Sequence, residues 1–149
     1  MVSLTLAAVS EAVQTNLELA RQAYELWNAS GVDALRERFW APAIVFYDLP
    51  EAPDTGIFRG AKEFAARLRA VTESWHHLPR FQVRSLEGCG DYTLAAVDLR
   101  VEGQDSGVAL AVPQFHVVRW ADGRLHEQRI YQDADQARRE YERLSSQSA

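Results

Sequence analysis

The sequence has few of the features that mark secreted, membrane-bound or nucleic-acid-binding proteins. It has one cysteine, Cys89, so an intrachain disulfide is excluded, and we expect a cytoplasmic protein. No apolar run approaches the roughly 20 residues that cross a bilayer, so we expect no membrane partner. The net charge of −5 gives no basic excess for a phosphate backbone, so we expect no nucleic-acid partner.

Signatures of several common catalytic sites are also missing. No serine lies in a G-x-S-x-G context, and no glycine-rich phosphate loop follows a predicted strand. His76 and His77 are adjacent, so their side chains point apart in an extended segment, and no third ligand is suitably spaced. We therefore predict no metal site and no cofactor.

The composition is that of a globular domain, with 47% hydrophobic and 25% charged residues. A chain of 149 residues is long enough to bury a core. We expect a loosely ordered N-terminal extension over residues 1–14, a single domain over 15–144 and a disordered tail over 145–149.

The N-terminal half predicts three helices and one strand. Apolar residues recur every three or four positions over residues 15–28, 32–39 and 61–75, which is the helical period. Between the second and third helices, Ile44–Tyr47 is a short β-rich run with Asp48 at its end. A proline-containing loop follows, so the strand ends there.

The C-terminal half has the period of two that is typical of strands. Turn signals divide it into four strands, and a final helix begins at about Asp133, its predicted cap. Helices followed by antiparallel strands predict an α+β fold. The predicted strands cover residues 80–87, 92–102, 106–120 and 124–131, and the final helix covers 133–144.

This order of elements resembles the cone-shaped superfamily of nuclear transport factor 2, ketosteroid isomerase and the SnoaL-like polyketide cyclases (the NTF2-like fold). Three stretches carry the resemblance, which covers about residues 15–140: NASGVDALRERFWAPAIVFYD, GIFRGAKEF and FHVVRWADGRLHEQRIYQDADQA. It implies three N-terminal helices packed on a curved, mostly antiparallel sheet, with a small-molecule pocket inside the cone. It also implies a homodimer formed through the exposed sheet face.

The same resemblance implies two catalytic residues. Ketosteroid isomerases place their general-base aspartate at the end of the first strand, and Asp48 in FYDLP matches that position. A second, protonated aspartate of these enzymes donates a hydrogen bond to the oxyanion of the intermediate. Its position falls on His116, whose imidazole could donate this hydrogen bond instead. Their oxyanion tyrosine aligns with Ala23, one residue before Tyr24.

Limonene epoxide hydrolases, which share this fold, imply a third candidate residue. They activate water with an Asp-Arg-Asp set, and Asp98 matches its middle-strand aspartate. Ala96 and Ile130 stand where the other two members would be, so this chemistry is disfavoured. Asp98 is nevertheless predicted as a second carboxylate in the pocket.

Each catalytic candidate also has a purely structural interpretation. Asp48 could cap the loop that follows its strand. Asp98 could form a salt bridge with an arginine of its own or a neighbouring strand, since an unpaired carboxylate is costly to bury. His116 could be a paired core or surface histidine, on the same strand face as Gln114 and Trp120.

We predict a cofactor-independent acid–base enzyme that acts on an apolar, oxygenated small molecule by enolisation, isomerisation or polyketide-type cyclisation. The alternative is a non-catalytic module for small-molecule binding or dimerisation, and the third possibility is an epoxide hydrolase-like enzyme. The candidate catalytic residues are Asp48, His116 and Asp98, and the candidate substrate-binding residues are Tyr24, Trp27, Phe46, Gln114, Trp120 and Ile130.

Overall fold

The computed structural model describes residues 2–48, 56–73, 75, 78–102 and 107–148, with the backbone alone for 2–10 and 148. None of the described helices combines the length and the apolar character needed to cross a membrane. In chain order the elements are α1 (Val2–Ser30), α2 (Val32–Phe39), β1 (Trp40–Tyr47), β2 (Ile57–Arg59), α3 (Ala61–Glu73), β3 (Arg80–Cys89), β4 (Tyr92–Glu102), β5 (Ala109–Ala121), β6 (Arg124–Tyr131) and α4 (Ala134–Ser148).

The six strands form one curved sheet in the order β2-β1-β6-β5-β4-β3. Neighbouring strands are antiparallel except for β1 and β6, which are parallel. The α+β prediction is confirmed, and β4 and β6 have the predicted bounds. The parallel pairing places the carboxyl end of β1, where Asp48 follows, beside the carboxyl end of β6.

Helices α1, α2 and α3 cover one face of the sheet, and aromatic side chains form much of the core beneath them. Phe64 of α3 stacks on both Phe46 and Trp40 of β1, with ring centroids 4.3 Å apart in each pair. Trp120 of β5 meets Phe39 of α2 edge to face. Because buried aromatic rings dominate core energetics, these contacts fix α3 over β1.

Helix α4 packs against the opposite face of the sheet. Ala137 and Tyr141 of α4 cluster with Leu94 and Val117. Asp133 accepts hydrogen bonds at Oδ1 from two backbone N–H groups in the first turn, so it caps α4 as predicted. The sheet therefore has helices on both faces.

Two predicted boundaries were wrong at the ends of the chain. Helix α1 begins at Val2 rather than near Thr15, because no glycine or proline interrupts the residues before Thr15. Helix α4 continues to Ser148, so the segments predicted as a loose extension and a disordered tail are largely helical.

Strand β1 and its neighbour also differ from the prediction. β1 begins at Trp40 and contains Pro42, which lies where the pairing with β6 is irregular, between Trp40 and Val45. Strand β2 was not predicted because three residues are too few to show alternation. Residues 49–55 of the predicted loop, the histidines at 76 and 77, the predicted turn over 103–105 and the predicted strand start at 106 lie outside the described residues.

Candidate functional site

An apolar cavity of about 250 Å³ lies between the sheet and helices α1, α2 and α3. Its wall is mainly aromatic and aliphatic, with a few polar side chains, which is the usual character of a small-molecule site. The residues that line it include Tyr24, Trp27, Phe46, Asp48, Arg67, Phe81, Gln114, Trp120, Gln128 and Ile130.

The carboxylate of Asp48 lies at the cavity wall and is paired with Arg67 of α3. Nη2 and Nε of Arg67 lie 2.8 and 3.0 Å from Oδ2 of Asp48. The carboxylate side chain is 10% exposed and the arginine side chain 21%. The guanidinium carbon also lies 5.6 Å from the ring centroid of Phe58 on β2. The end of β1, β2 and α3 therefore converge on one ion pair that borders the cavity.

A chain of three hydrogen-bonded side chains forms a second polar part of the site. The hydroxyl oxygen of Tyr24 lies 2.8 Å from Nδ1 of His116, and Nε2 of His116 lies 3.0 Å from Oε1 of Gln114. Tyr24 and Gln114 line the cavity, whereas His116 lies behind them with no exposed surface. Phe81 packs edge to face on the imidazole, with ring centroids 5.3 Å apart.

The amide oxygen of Gln114 selects one tautomer of His116. Oε1 of Gln114 can only accept, so Nε2 of His116 carries the proton and donates it. Burial lowers the pKa of His116 to about 3, so the imidazole is neutral and Nδ1 accepts from the Tyr24 hydroxyl. Burial also raises the pKa of Tyr24 well above its ordinary value, so the phenol keeps its proton.

The strand register relates the two polar parts of the site. Tyr47 pairs with Arg129, so Asp48 follows at the level of Ile130, which pairs with His116 on β5. Two strand spacings separate the backbones of Asp48 and His116, which is roughly 10 Å. The carboxylate and the Tyr24–His116–Gln114 chain therefore lie on the same side of the sheet, at a separation that a small ligand can bridge.

Two further polar side chains of the wall are held by protein partners. Nε1 of Trp120 donates to Oγ1 of Thr93 at 3.0 Å, and Oγ1 of Thr72 donates to the carbonyl oxygen of Leu68 at 2.8 Å. These bonds satisfy groups that would otherwise be costly to bury, and they keep the wall in place.

Comparison with known families identifies the fold. A model of the SnoaL-like domain matches residues 20–128, which is well over half of the chain. The chain belongs to the SnoaL-like domain family. No curated protein sequence matches it significantly.

Solved structures resemble this SnoaL-like domain over most of their length. An NTF2-like protein of unknown function from Burkholderia pseudomallei has a TM-score of 0.67 at 20% identity, with 84% of this chain and 95% of that chain covered. A protein proposed to be a SnoaL-like polyketide cyclase, from Jannaschia sp. CCS1, has a TM-score of 0.66 at 19% identity, with 84% and 90% covered. TerC co-crystallised with polyporic acid has a TM-score of 0.68 at 16% identity, with 86% and 98% covered. At these identities the likeness establishes the fold.

Most of the predicted site residues come together in the cavity of the SnoaL-like domain. Asp48 lines it, and so do all six predicted substrate-binding residues: Tyr24, Trp27, Phe46, Gln114, Trp120 and Ile130.

The placement of Asp98 corrects the prediction of a second pocket carboxylate. Leu99 lines the cavity, so Asp98 points to the other face of β4, where Oδ1 lies 3.2 Å from Nε of Arg84. Arg84 also lies over the ring of Phe115, 5.7 Å from its centroid. Asp98 therefore forms a salt bridge, as in its purely structural interpretation, and lies outside the cavity lining.

The placement of His116 corrects its predicted role as a direct donor. Both ring nitrogens are bonded to protein groups, and the ring has no exposed surface. It contacts the cavity through Tyr24, which the sequence placed one residue from the expected tyrosine position.

Arg67 is the functional candidate that the sequence analysis missed. It follows Phe64 by three residues, so it lies on the same helix face as Phe64, Leu68 and Val71, which all line the cavity. A charged residue beside an apolar stripe was the available signal. Among the described residues there is no cluster of three histidine, cysteine or acidic side chains that could hold a metal ion.

Proposed function

We propose that this SnoaL-like domain is an acid–base enzyme that acts on an apolar, oxygenated small molecule by enolisation, isomerisation or cyclisation. The observation that carries the proposal is the presence of a carboxylate and a hydrogen-bonded tyrosine in the wall of one apolar cavity. The cavity is near the lower end of the usual range for ligand sites, roughly 300–1,000 Å³, so the ligand is small.

Asp48 is the proposed general base. Proton abstraction from carbon by Asp48 transfers its negative charge to the substrate, while Arg67 remains positive and close to the developing anion. In an apolar cavity such a fixed charge interacts more strongly than it would in water. Asp48 thus removes the proton, and Arg67 limits the cost of moving the charge.

Tyr24 is the proposed donor to the developing enolate oxygen. A phenol whose pKa is raised by burial stays protonated and can donate a hydrogen bond without losing its proton. His116 and Gln114 hold the hydroxyl in position, so His116 is a positioning residue rather than a catalytic one. The complex of the structurally similar TerC with polyporic acid supports an organic small molecule as the ligand.

A binding experiment tests this proposal. A planar fluorescent phenol such as 2-naphthol, which mimics an enolate when ionised, is titrated into wild type, Asp48→Asn and Tyr24→Phe across pH 5–9. We expect Asp48→Asn to bind the phenol at least about tenfold more tightly, because the competing carboxylate charge is gone. We expect Tyr24→Phe to bind about tenfold more weakly, because the donor is lost.

The matched control is Tyr47→Phe. Tyr47 lies next to Asp48 but on the other face of β1, under the guanidinium of Arg129 at 3.9 Å, so this variant should bind like wild type. Binding that is unaffected in both Asp48→Asn and Tyr24→Phe would contradict the acid–base proposal.

The second candidate is a ligand-binding module without catalysis. The ion pair between Asp48 and Arg67 favours it, since such a pair also has a structural use in joining β1 to α3. In that case Asp48→Asn should lower the stability of the fold and leave the phenol affinity unchanged.

A further inference from the structure

The hydrogen-bond chain behind the cavity runs away from the position where a substrate oxygen would lie. The Tyr24 hydroxyl donates to Nδ1 of His116, and Nε2 of His116 donates to Oε1 of Gln114. A donor to an enolate oxygen must direct its proton into the cavity. The direction that follows from the Gln114 amide oxygen facing His116 therefore differs from the one that the proposed reaction requires.

Tyr24 cannot simply turn its proton toward a ligand. His116 has no exposed surface, and its ring is packed against Phe81 and Tyr24. If the tyrosine proton turned away, Nδ1 would be a buried acceptor without a partner, which native structures avoid. Catalysis by Tyr24 therefore requires a change in the whole chain.

Reversal of all three groups keeps every one of them paired. A hydroxyl can donate and accept, a neutral imidazole has two tautomers, and an amide exchanges its oxygen and nitrogen by rotation. In the reversed chain Gln114 donates from Nε2 to Nε2 of His116, and Nδ1–H of His116 donates to the Tyr24 oxygen. The imidazole gives its Nε2 proton to water and takes a proton from water at Nδ1 while the ligand enters and the chain is open, so its charge does not change.

We propose that substrate binding reverses the Tyr24–His116–Gln114 chain, and that the substrate is an enolisable ketone that also carries a hydroxyl group. This inference rests on the proposed function. Reversal releases the Tyr24 proton to the ketone oxygen and turns Oε1 of Gln114 toward the cavity, where it accepts from the ligand hydroxyl. Gln114 is thus a specificity-determining residue, because it favours ligands that carry a hydrogen-bond donor beside the reacting carbonyl.

An affinity comparison tests the substrate class. The probe is meta-hydroxyacetophenone, whose hydroxyl and carbonyl cannot bond to each other, and the controls are meta-methoxyacetophenone, without the donor, and meta-ethylphenol, without the carbonyl. We expect each control to bind at least about tenfold more weakly to wild type. In Gln114→Met the preference for the hydroxyl over the methoxy compound should fall to about twofold or less. Equal binding of all three compounds to wild type would overturn the proposal.

A second measurement follows the reversal directly in the wild-type protein. Two-bond ¹H–¹⁵N spectra show which ring nitrogen of a histidine is protonated, and the His116→Gln variant assigns the signals among the four histidines. We expect Nε2–H in the free protein and Nδ1–H in the protein saturated with meta-hydroxyacetophenone. An unchanged Nε2–H tautomer in the saturated complex would overturn the reversal. Effects of Asp48→Asn and Tyr24→Phe on phenol binding would still stand in that case, so the two failures are distinguishable.

Discussion

Burial keeps His116 neutral. The only cause of its lowered pKa is desolvation, and its two hydrogen bonds go to the uncharged groups of Tyr24 and Gln114. A neutral imidazole that donates and accepts at once can transmit hydrogen-bond direction between two cavity residues. An imidazolium, which can only donate, could not.

The lowered pKa of His116 gives the stability a defined pH dependence. As the pH falls through about 6.5, the unfolded chain binds a proton at this histidine while the folded chain does not, since its pKa is about 3. The free energy of unfolding should therefore be about 2 kcal/mol smaller at pH 5 than at pH 8 from this group alone. Urea unfolding of wild type and His116→Gln at both pH values measures it. The same pH dependence in both proteins would contradict a buried neutral imidazole.

Strand alternation correctly predicted which residues of β5 face the cavity. Gln114 and Trp120 were expected on the His116 face, and they line the cavity. Alternation failed for Asp98, because β4 is apolar on both faces and the sequence does not tell which face encloses the pocket. Arg67 could not be singled out either, because its role depends on the distant Asp48.

At the scale of elements, the position of β3 against α1 shapes the wall of the cavity. Asn28 of α1 bonds both backbone groups of Phe81: its Nδ2 donates to the carbonyl oxygen and its Oδ1 accepts from the N–H, each at 2.8 Å. Nε1 of Trp27 donates to the carbonyl oxygen of Pro79 at 2.6 Å. Because β3 is an edge strand, these side chains replace the partner strand that it lacks.

Removal of the Asn28 amide should loosen this wall. In Asn28→Ala two backbone groups of Phe81 lose their partners, so the free energy of unfolding should fall by about 1–3 kcal/mol. Ligand affinity should fall as well, because Phe81 lines the cavity and packs on Tyr24. Glu25→Ala, at an exposed position on the same helix, is the control for urea unfolding. Equal stability of the two variants would show that the contact with β3 does not depend on Asn28.

The elements themselves were largely predictable because their signals are local. Turn glycines and alternation gave the bounds of β4 and β6, and the cap at Asp133 gave the start of α4. Strand β2 depends on pairing with β1 rather than on its own pattern, so it was missed. The extent of α1 was underestimated because its N-terminal residues form a helix without a clear apolar stripe.

At the scale of the whole molecule, the two faces of the sheet have different roles. Its inner face, under α1, α2 and α3, encloses the cavity, and its outer face packs on α4. Strands that are covered on both faces are apolar on both faces, which stabilises the fold but conceals the location of the site in the sequence. Homodimer formation and a cytoplasmic location remain predictions.

We propose above all that Asp48 removes a proton from a carbon atom of a ligand in this cavity. Deuterium incorporation at the α-carbon of meta-hydroxyacetophenone in D₂O, followed by NMR in wild type, Asp48→Asn and Tyr47→Phe, tests it most directly. We expect exchange in wild type and Tyr47→Phe, and a rate lower by about 10²–10⁴-fold in Asp48→Asn, which is the usual contribution of a general base. Exchange in wild type that is no faster than in Asp48→Asn would contradict the claim.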